Sequence, residues 1–207
     1  MPMPAHRKPR FRDRTYAAFL FDLDGTMLDS SSVVERTWRA WAKRHEIDPT
    51  NLLVAAQGVR SEDTIRRFGP AGIDVARETA WFLGMELSDI EGVVPIAGIG
   101  ALVDSLHPET WAVVTSASRV LAELRLRSVQ LPIPKTLITA EDVKQGKPSP
   151  EGYLKAATTL GVPIGECLVF EDSAAGVAAG KSAGAHVAIL GNRVPASEGT
   201  FTIPDYH

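Results

Sequence analysis

The chain has 207 residues, 44% hydrophobic and 23% charged, with 22 basic and 25 acidic side chains and a formal net charge of −3. This composition excludes a disordered chain, and a chain of this length buries about 70% of its unfolded surface, enough for a core without metal or disulfide staples. Five basic side chains (Arg7, Lys8, Arg10, Arg12, Arg14) fall in the first 14 residues, so the rest is acidic and a poor surface for nucleic acid. The single cysteine, Cys167, excludes an intramolecular disulfide framework and fits a reducing compartment. No apolar run reaches the roughly 18 residues of a membrane span, and no signal-peptide pattern follows the basic start. The expectation is a cytoplasmic protein with no membrane or nucleic-acid partner.

Residues 1–14 are read as a solvated, disordered basic tail, with a targeting arm or a nucleic-acid contact as alternatives. The apolar run at 17–21, stopped by Asp22 and Gly25, reads as a buried strand entering a loop. Residues 30–93 hold no convincing strand. Val34, Trp38, Trp41, Ala42 and His45 recur at helical spacing, as do Ile73, Ala76, Ala80, Leu83, Leu87 and Ile90. Trp38, Trp41 and Trp81 are assigned to helix–helix packing, and Pro95 and Gly98 punctuate the exit. Strand-like runs resume at 111–114, 136–138, 167–170 and 186–190, separated by helical patterns. That alternation implies a parallel sheet with helices on both faces. The expected fold is α/β, a Rossmann-like parallel sheet core (15–29 and 94–207) carrying an inserted all-helical cap (30–93).

Candidate chemistry sits where these runs end. Asp22 and Asp24 are two residues apart, so in extended backbone both side chains face one way, at the strand end where open α/β sheets bind ligands. Val114 leads into Thr115 and Ser116, and Phe170 into Glu171 and Asp172, while Lys147 lies in a Gly-Lys-Pro loop. Each has a plain alternative: a turn residue, a helix cap, a helix-start acid pair or a surface charge. Together, if the first, second and fourth strands are neighbours, they place carboxylates, a hydroxyl and an ammonium in one spot. Paired carboxylates suit a hard divalent cation such as Mg2+, and a lysine with backbone amides beside it suits phosphate.

The stretches Phe21-Asp22-Leu23-Asp24-Gly25-Thr26, Val113-Val114-Thr115-Ser116, Gly146-Lys147-Pro148-Ser149-Pro150-Glu151 and Phe170-Glu171-Asp172-Ser173-Ala174-Ala175-Gly176 resemble the four ordered motifs of the haloacid dehalogenase superfamily. The likeness spans about 15–192. It lies with the phosphatase branch whose helical cap follows the first motif, and with sugar- and polyol-phosphate phosphatases such as the hexitol, glycerol-3-phosphate and 2-deoxyglucose-6-phosphate group.

The resemblance implies Asp22 as nucleophile forming an aspartyl-phosphate, and Asp24 as general acid and then base. It implies Mg2+ held by Asp22, the Asp24 carbonyl and Asp172, with Glu171 supporting metal-bound water. Lys147 would neutralise charge, and Thr115 with the amides around Gly25 and Ser116 would bind the phosphoryl oxygens, the main hydroxyl being either Thr115 or Ser116. Arg60 would contact substrate from the cap, or else be a solvated helix-start charge. The implied partner is a small phosphorylated metabolite and the implied state a monomer or weak dimer. A sugar phosphomutase and a non-catalytic binding protein on the same fold are the rival readings. His45 and His107 are assigned no role, and Cys167 is read as inert packing.

Overall fold

The computed structural model describes residues 8–207. In chain order, β1 (Arg10–Phe11) and β2 (Arg14–Thr15) form a hairpin, followed by β3 (Ala18–Phe21) and β4 (Leu28–Asp29). Helices α1 (Ser31–Arg44), α2 (Pro49–Ala55), α3 (Ser61–Phe68) and α4 (Val75–Ser88) come next. Then follow β5 (Val94–Pro95), α5 (Ile99–Asp104), β6 (Trp111–Val114), α6 (Arg119–Ser128), β7 (Thr136–Ile138) and α7 (Glu151–Leu160). The chain ends with β8 (Cys167–Glu171), α8 (Ala174–Ala183), β9 (His186–Leu190) and β10 (Thr200–Ile203).

Six strands form one parallel sheet in the order β10-β9-β8-β3-β6-β7. Side-chain alternation divides its core between two faces. Phe19 and Phe21 point to one face and pack with Trp111, Val113, Leu168 and Phe170 beneath α5 and α6. Ala18 and Leu20 point to the other, with Ala112, Val114 and Val169, beneath α7 and α8. The aromatic contacts on the first face are dense. Phe21 and Phe170 stack at 4.8 Å, and Phe11, Phe19 and Tyr206 lie 5.2, 5.3 and 5.4 Å from Phe170.

The chain leaves the sheet at β4 and returns at β5, and the two pair antiparallel, Leu28 opposite Pro95 and Asp29 opposite Val94. The segment between them is helical and has its own apolar cluster of Trp38, Trp41, Ala42, Leu52, Ile65 and Phe82. Trp38 packs 4.1 Å from Phe82, so Trp38 and Trp41 are core residues. Trp81 lies at the rim under the Arg44 guanidinium, 5.2 Å from its ring centre. Four helices form where the spacing read two, because Asp48 before Pro49 caps α2 and Asp74 caps α4. His45 has a partner after all: its Nε2 lies 2.8 Å from buried Glu78, which also accepts from the Trp41 indole at 3.1 Å.

Two parts of the chain differ from expectation. Residues 8–14 are not a solvated extension, whereas residues 1–7 lie outside the described residues. Phe11 is tucked against Phe19, Phe170 and Phe201, and Arg12 lies 4.5 Å over the Phe201 ring. One apolar side chain in a basic run is enough to anchor a hairpin to the sheet. The second difference is β10, a sixth strand in a mostly polar stretch after β9. Beyond it Tyr206 ties the segments flanking β4 and β5: its N–H donates to the Ala97 carbonyl at 3.1 Å and its hydroxyl to the Thr26 carbonyl at 3.2 Å.

Phe170 is the hub of the aromatic face and is fully buried. Phe170→Ala is expected to lower unfolding stability by about 3–5 kcal/mol, the range for emptying a buried phenylalanine site. Chemical denaturation checks this, and a loss under about 1 kcal/mol would mean that the cluster repacks around the gap.

Candidate active site

Strand register sets the site. Phe21 pairs with Val113 on one side and Phe170 on the other, so Asp22, Thr115, Glu171 and Asp172 emerge together at the carboxyl edge of three adjacent strands. The Asp22 N–H donates to the Phe170 carbonyl at 3.0 Å, which fixes the turn. Asp22, Glu171 and Asp172 are all buried, with one oxygen of each inside a 4.8 Å cluster.

Lys147 reaches into this cluster from the loop before α7. Its ammonium donates to Asp22 Oδ1 and lies 2.6 Å from Glu171 Oε1. Glu171 is held on all sides. Oε1 also accepts from the Tyr153 hydroxyl at 2.7 Å, and Oε2 accepts from the Asp172 and Ser173 N–H groups and the Ser173 hydroxyl, at 3.2, 3.3 and 3.1 Å. Glycines make the space. A Cβ on Gly176 would overlap the Glu171 carboxyl, and one on Gly25 (φ +86°) would overlap that of Asp172.

Burial pushes the Asp22 carboxyl well above the usual carboxylate range, and the Glu171 and Asp172 charges add to this against the opposing pull of Lys147. Asp172 is pushed up to about 7, by burial first and the Glu171 charge second, against the pull of Arg193 and Lys147. Arg193 NH1 sits 3.1 Å from Asp172 Oδ2. The protein's own cations leave this cluster with more negative charge than burial tolerates. Its accessible donors are hard oxygens, the set that suits magnesium, and the residues fit a divalent cation.

The facing side of the cluster is built by the end of β6. Thr115 Oγ1 accepts from the Ala117 N–H at 3.0 Å, which leaves its own proton to donate. The Ser116 hydroxyl donates to the Gly58 carbonyl at 2.8 Å, so that side chain is spent on the helical segment. The Ser116 N–H has no acceptor among the described residues. Gly25 differs from expectation, because its N–H is donated to the Leu28 carbonyl at 2.7 Å and its contribution is space beside Asp172.

Above the cluster lies a cavity of about 550 Å³ between the sheet edge and α1–α4, within the roughly 300–1,000 Å³ of small-molecule sites. Asp24 faces it, and its Oδ1 accepts from the Ser30 hydroxyl at 2.6 Å and the Arg125 guanidinium at 2.8 Å. Arg60 borders the cavity, but Nε and NH2 bond Asp63 at 2.7 and 3.2 Å, and NH1 reaches the Lys144 carbonyl at 3.4 Å. Thr79 and Ser118 also line the cavity, and both hydroxyls are buried without a partner among the described residues.

The haloacid dehalogenase-like hydrolase profile matches residues 16–184. The chain belongs to that family. It is 42% identical to hexitol phosphatase A of Escherichia coli K12, over 82% of this chain and 80% of that one. It is 35% identical to glycerol-1-phosphate phosphohydrolase 2 of Saccharomyces cerevisiae, over 82% of this chain and 72% of that one. CbbY from Rhodobacter sphaeroides, solved with phosphate, shares the fold at TM-score 0.74 and 22% identity, over 93% of this chain and 95% of that one.

Sequence reasoning missed Tyr153, Arg193, Ser30, Arg125 and Glu86. For the last two a signal was present. Arg125 shares the buried stripe of α6 with Leu121, Ala122 and Leu126, and Glu86 shares that of α4 with Glu78 and Phe82. A charge on an apolar helix stripe needs a buried partner. Cys167 is buried as expected, and burial pushes its thiol up to about 11.

Between about pH 4 and 7 the folded chain keeps a proton on Asp172 that an unfolded aspartate releases near about 3.9. The stability tied to that proton is full below the unfolded value and is lost as pH rises through about 7. With divalent cations chelated, the thermal midpoint is therefore expected to fall from about pH 5 to about pH 8, and Asp172→Asn to flatten the fall. Equal slopes for both proteins would place the titration elsewhere.

Proposed function

We propose that the protein hydrolyses the phosphomonoester of a small sugar or polyol through an aspartyl-phosphate on Asp22. The observation that carries the reading is the convergence of Asp22, Lys147, Thr115 and the Glu171–Asp172 pair at the floor of the cavity between the sheet edge and α1–α4. The names of the bacterial and yeast relatives support the same substrate class.

Asp22 attacks phosphorus while the leaving oxygen takes a proton from Asp24, and Asp24 then accepts a proton from the water that cleaves the acyl phosphate. Lys147 holds Asp22 in place and offsets negative charge. Thr115 Oγ1 and the Ser116 N–H supply donors to the phosphoryl oxygens, so Thr115 is the hydroxyl of choice. Asp22, Asp172 and the Asp24 carbonyl would hold Mg2+, with Glu171 adding charge from behind. The ion, when bound, relieves the repulsion between carboxylate and phosphate.

The chain divides in this reading into a core of 15–29 and 94–207 and a cap of 30–93, with β4 and β5 as the crossing. Arg60 remains a cap residue at the cavity edge, and there it also braces the Lys147 loop. The enzyme is taken as cytoplasmic and as a monomer or weak dimer, without a nucleic-acid or membrane partner. Among the described residues no helix is long and apolar enough to cross a membrane.

The test is phosphate release from hexitol, glycerol and 2-deoxyglucose phosphates with magnesium present. Wild type is expected to release free phosphate without isomerising the sugar. Asp22→Asn is expected to lose at least about 1,000-fold in kcat while still unfolding cooperatively, because an amide cannot form the intermediate. Retention of more than about a tenth of the rate would overturn the role of Asp22.

A further inference from the structure

We propose that Arg125 is a positioning residue that aims Asp24 at the leaving oxygen, and that Glu86 on α4 holds Arg125 in that pose only when the helical segment lies against the sheet. The inference rests on the acid–base reading of Asp24 given above.

Arg125 is almost fully buried, with its side chain 3% exposed. It projects from α6, whose other stripe residues anchor that helix to the sheet. NH1 donates to Asp24 Oδ1 and NH2 to Glu86 Oε1, each at 2.8 Å. A guanidinium is planar, so two carboxylates bound to its two ends are fixed relative to each other. One of them belongs to the loop after β3 and the other to a helix on the far side of the cavity.

Asp24 shows how this serves the reaction. Both of its partners, Arg125 and Ser30, use Oδ1. Oδ2 has no hydrogen bond among the described residues and is the oxygen left to exchange a proton. Without Arg125 the carboxyl, at the end of a strand and 26% exposed, is held by one hydroxyl and can rotate. A general acid must lie within hydrogen-bond reach of the atom it protonates, so rotation removes its contribution.

Glu86 makes the arrangement conditional. It is buried, and burial raises its carboxyl above the usual range even with Arg125 beside it. Arg125 is its one ion-pair partner among the described residues. If α4 moves away, the NH2 end of Arg125 loses its partner and is free to turn in water, so the pose that aims Asp24 is fixed only in the closed arrangement. Substrate enclosure and aiming of Asp24 are thereby linked through one side chain.

Leaving-group chemistry separates this role from a merely structural one. Arg125→Met keeps an unbranched apolar stem in the buried stripe of α6 and removes the fork. Its kcat for an alkyl phosphate is expected to fall at least about tenfold, part of the roughly 100-fold or more that a placed general acid supplies. Its kcat for 4-nitrophenyl phosphate, whose leaving group needs little protonation, is expected to fall less than about threefold. Glu86→Gln, between two helices and close in shape, is expected to show the same selective loss to a smaller degree. The double variant should lose no more than Arg125→Met alone.

Equal losses on both substrates, or no loss in either variant, would overturn the assignment. If Arg125→Met fails to fold, Glu86→Gln and Arg125→Lys carry the same comparison. Asp24→Asn, measured alongside, separates the two levels. An equal loss there on both substrates sinks the acid–base reading and Arg125's role with it. A selective loss there without one in Arg125→Met sinks only the role of Arg125.

Discussion

Three buried carboxylates around one lysine, at the carboxyl edge of adjacent strands, are the constraint to which the rest of the structure answers. Such a group is unfavourable unless every charge is held. The fold supplies holders from separate parts of the chain. Lys147 comes from the loop before α7, Tyr153 from α7, Ser173 and its neighbouring N–H groups from the start of α8, and Arg193 from beyond β9. The glycines at 25 and 176 exist to let the carboxyl groups approach. What remains after this satisfaction is a surplus of negative charge, expressed in the raised Asp22 and Asp172 carboxyls. A core built only for stability would have replaced these groups with apolar ones, so their retention is an argument for chemistry.

The helical segment meets the sheet in a different manner from the way either part holds itself together. Each has its own apolar cluster. Between them run hydrogen bonds and ion pairs: Ser116 to the Gly58 carbonyl, Arg60 to the Lys144 carbonyl, and Arg125 to Glu86. Polar contacts of this kind are satisfied by water when a lid opens, whereas a shared apolar core would oppose opening. Tyr206 bonds to Thr26 before β4 and to Ala97 after β5, so it ties together the two chain segments that lead into and out of the helical part.

Much of this was legible because it is local. Five of the six sheet strands are short apolar runs bounded by turn residues, and the motifs at Asp22, Thr115 and Glu171–Asp172 sit at the ends of three of them, while Lys147 lies in a longer loop after β7. The residues that went unread are legible only through contacts across the fold. Phe11 looks like part of a basic tail until Phe19, Phe170 and Phe201 are placed around it. The strand at Thr200–Ile203 has too few apolar residues to announce itself and is made by pairing with β9. Arg125 and Asp24 are far apart in sequence, and no spacing rule joins them. The helical stripe of α6 marks Arg125 as anomalous without saying what it meets.

Asp22 and Asp24 show how far environment, more than residue type, divides the work. They share a loop and a chemical group. Asp22 is 4% exposed, with its carboxyl inside the acidic cluster and bonded to the Lys147 ammonium. Asp24 turns toward the cavity, and its partners are a hydroxyl and a guanidinium that use a single oxygen. In the proposed reaction the first stays put and attacks, and the second keeps an oxygen free to trade protons with whatever fills the cavity. Two carboxylates given different neighbours take different roles. The partners that create the difference, Lys147 and Arg125, come from opposite sides of the site. The loop after β3 therefore carries both functions only because the rest of the fold closes around it.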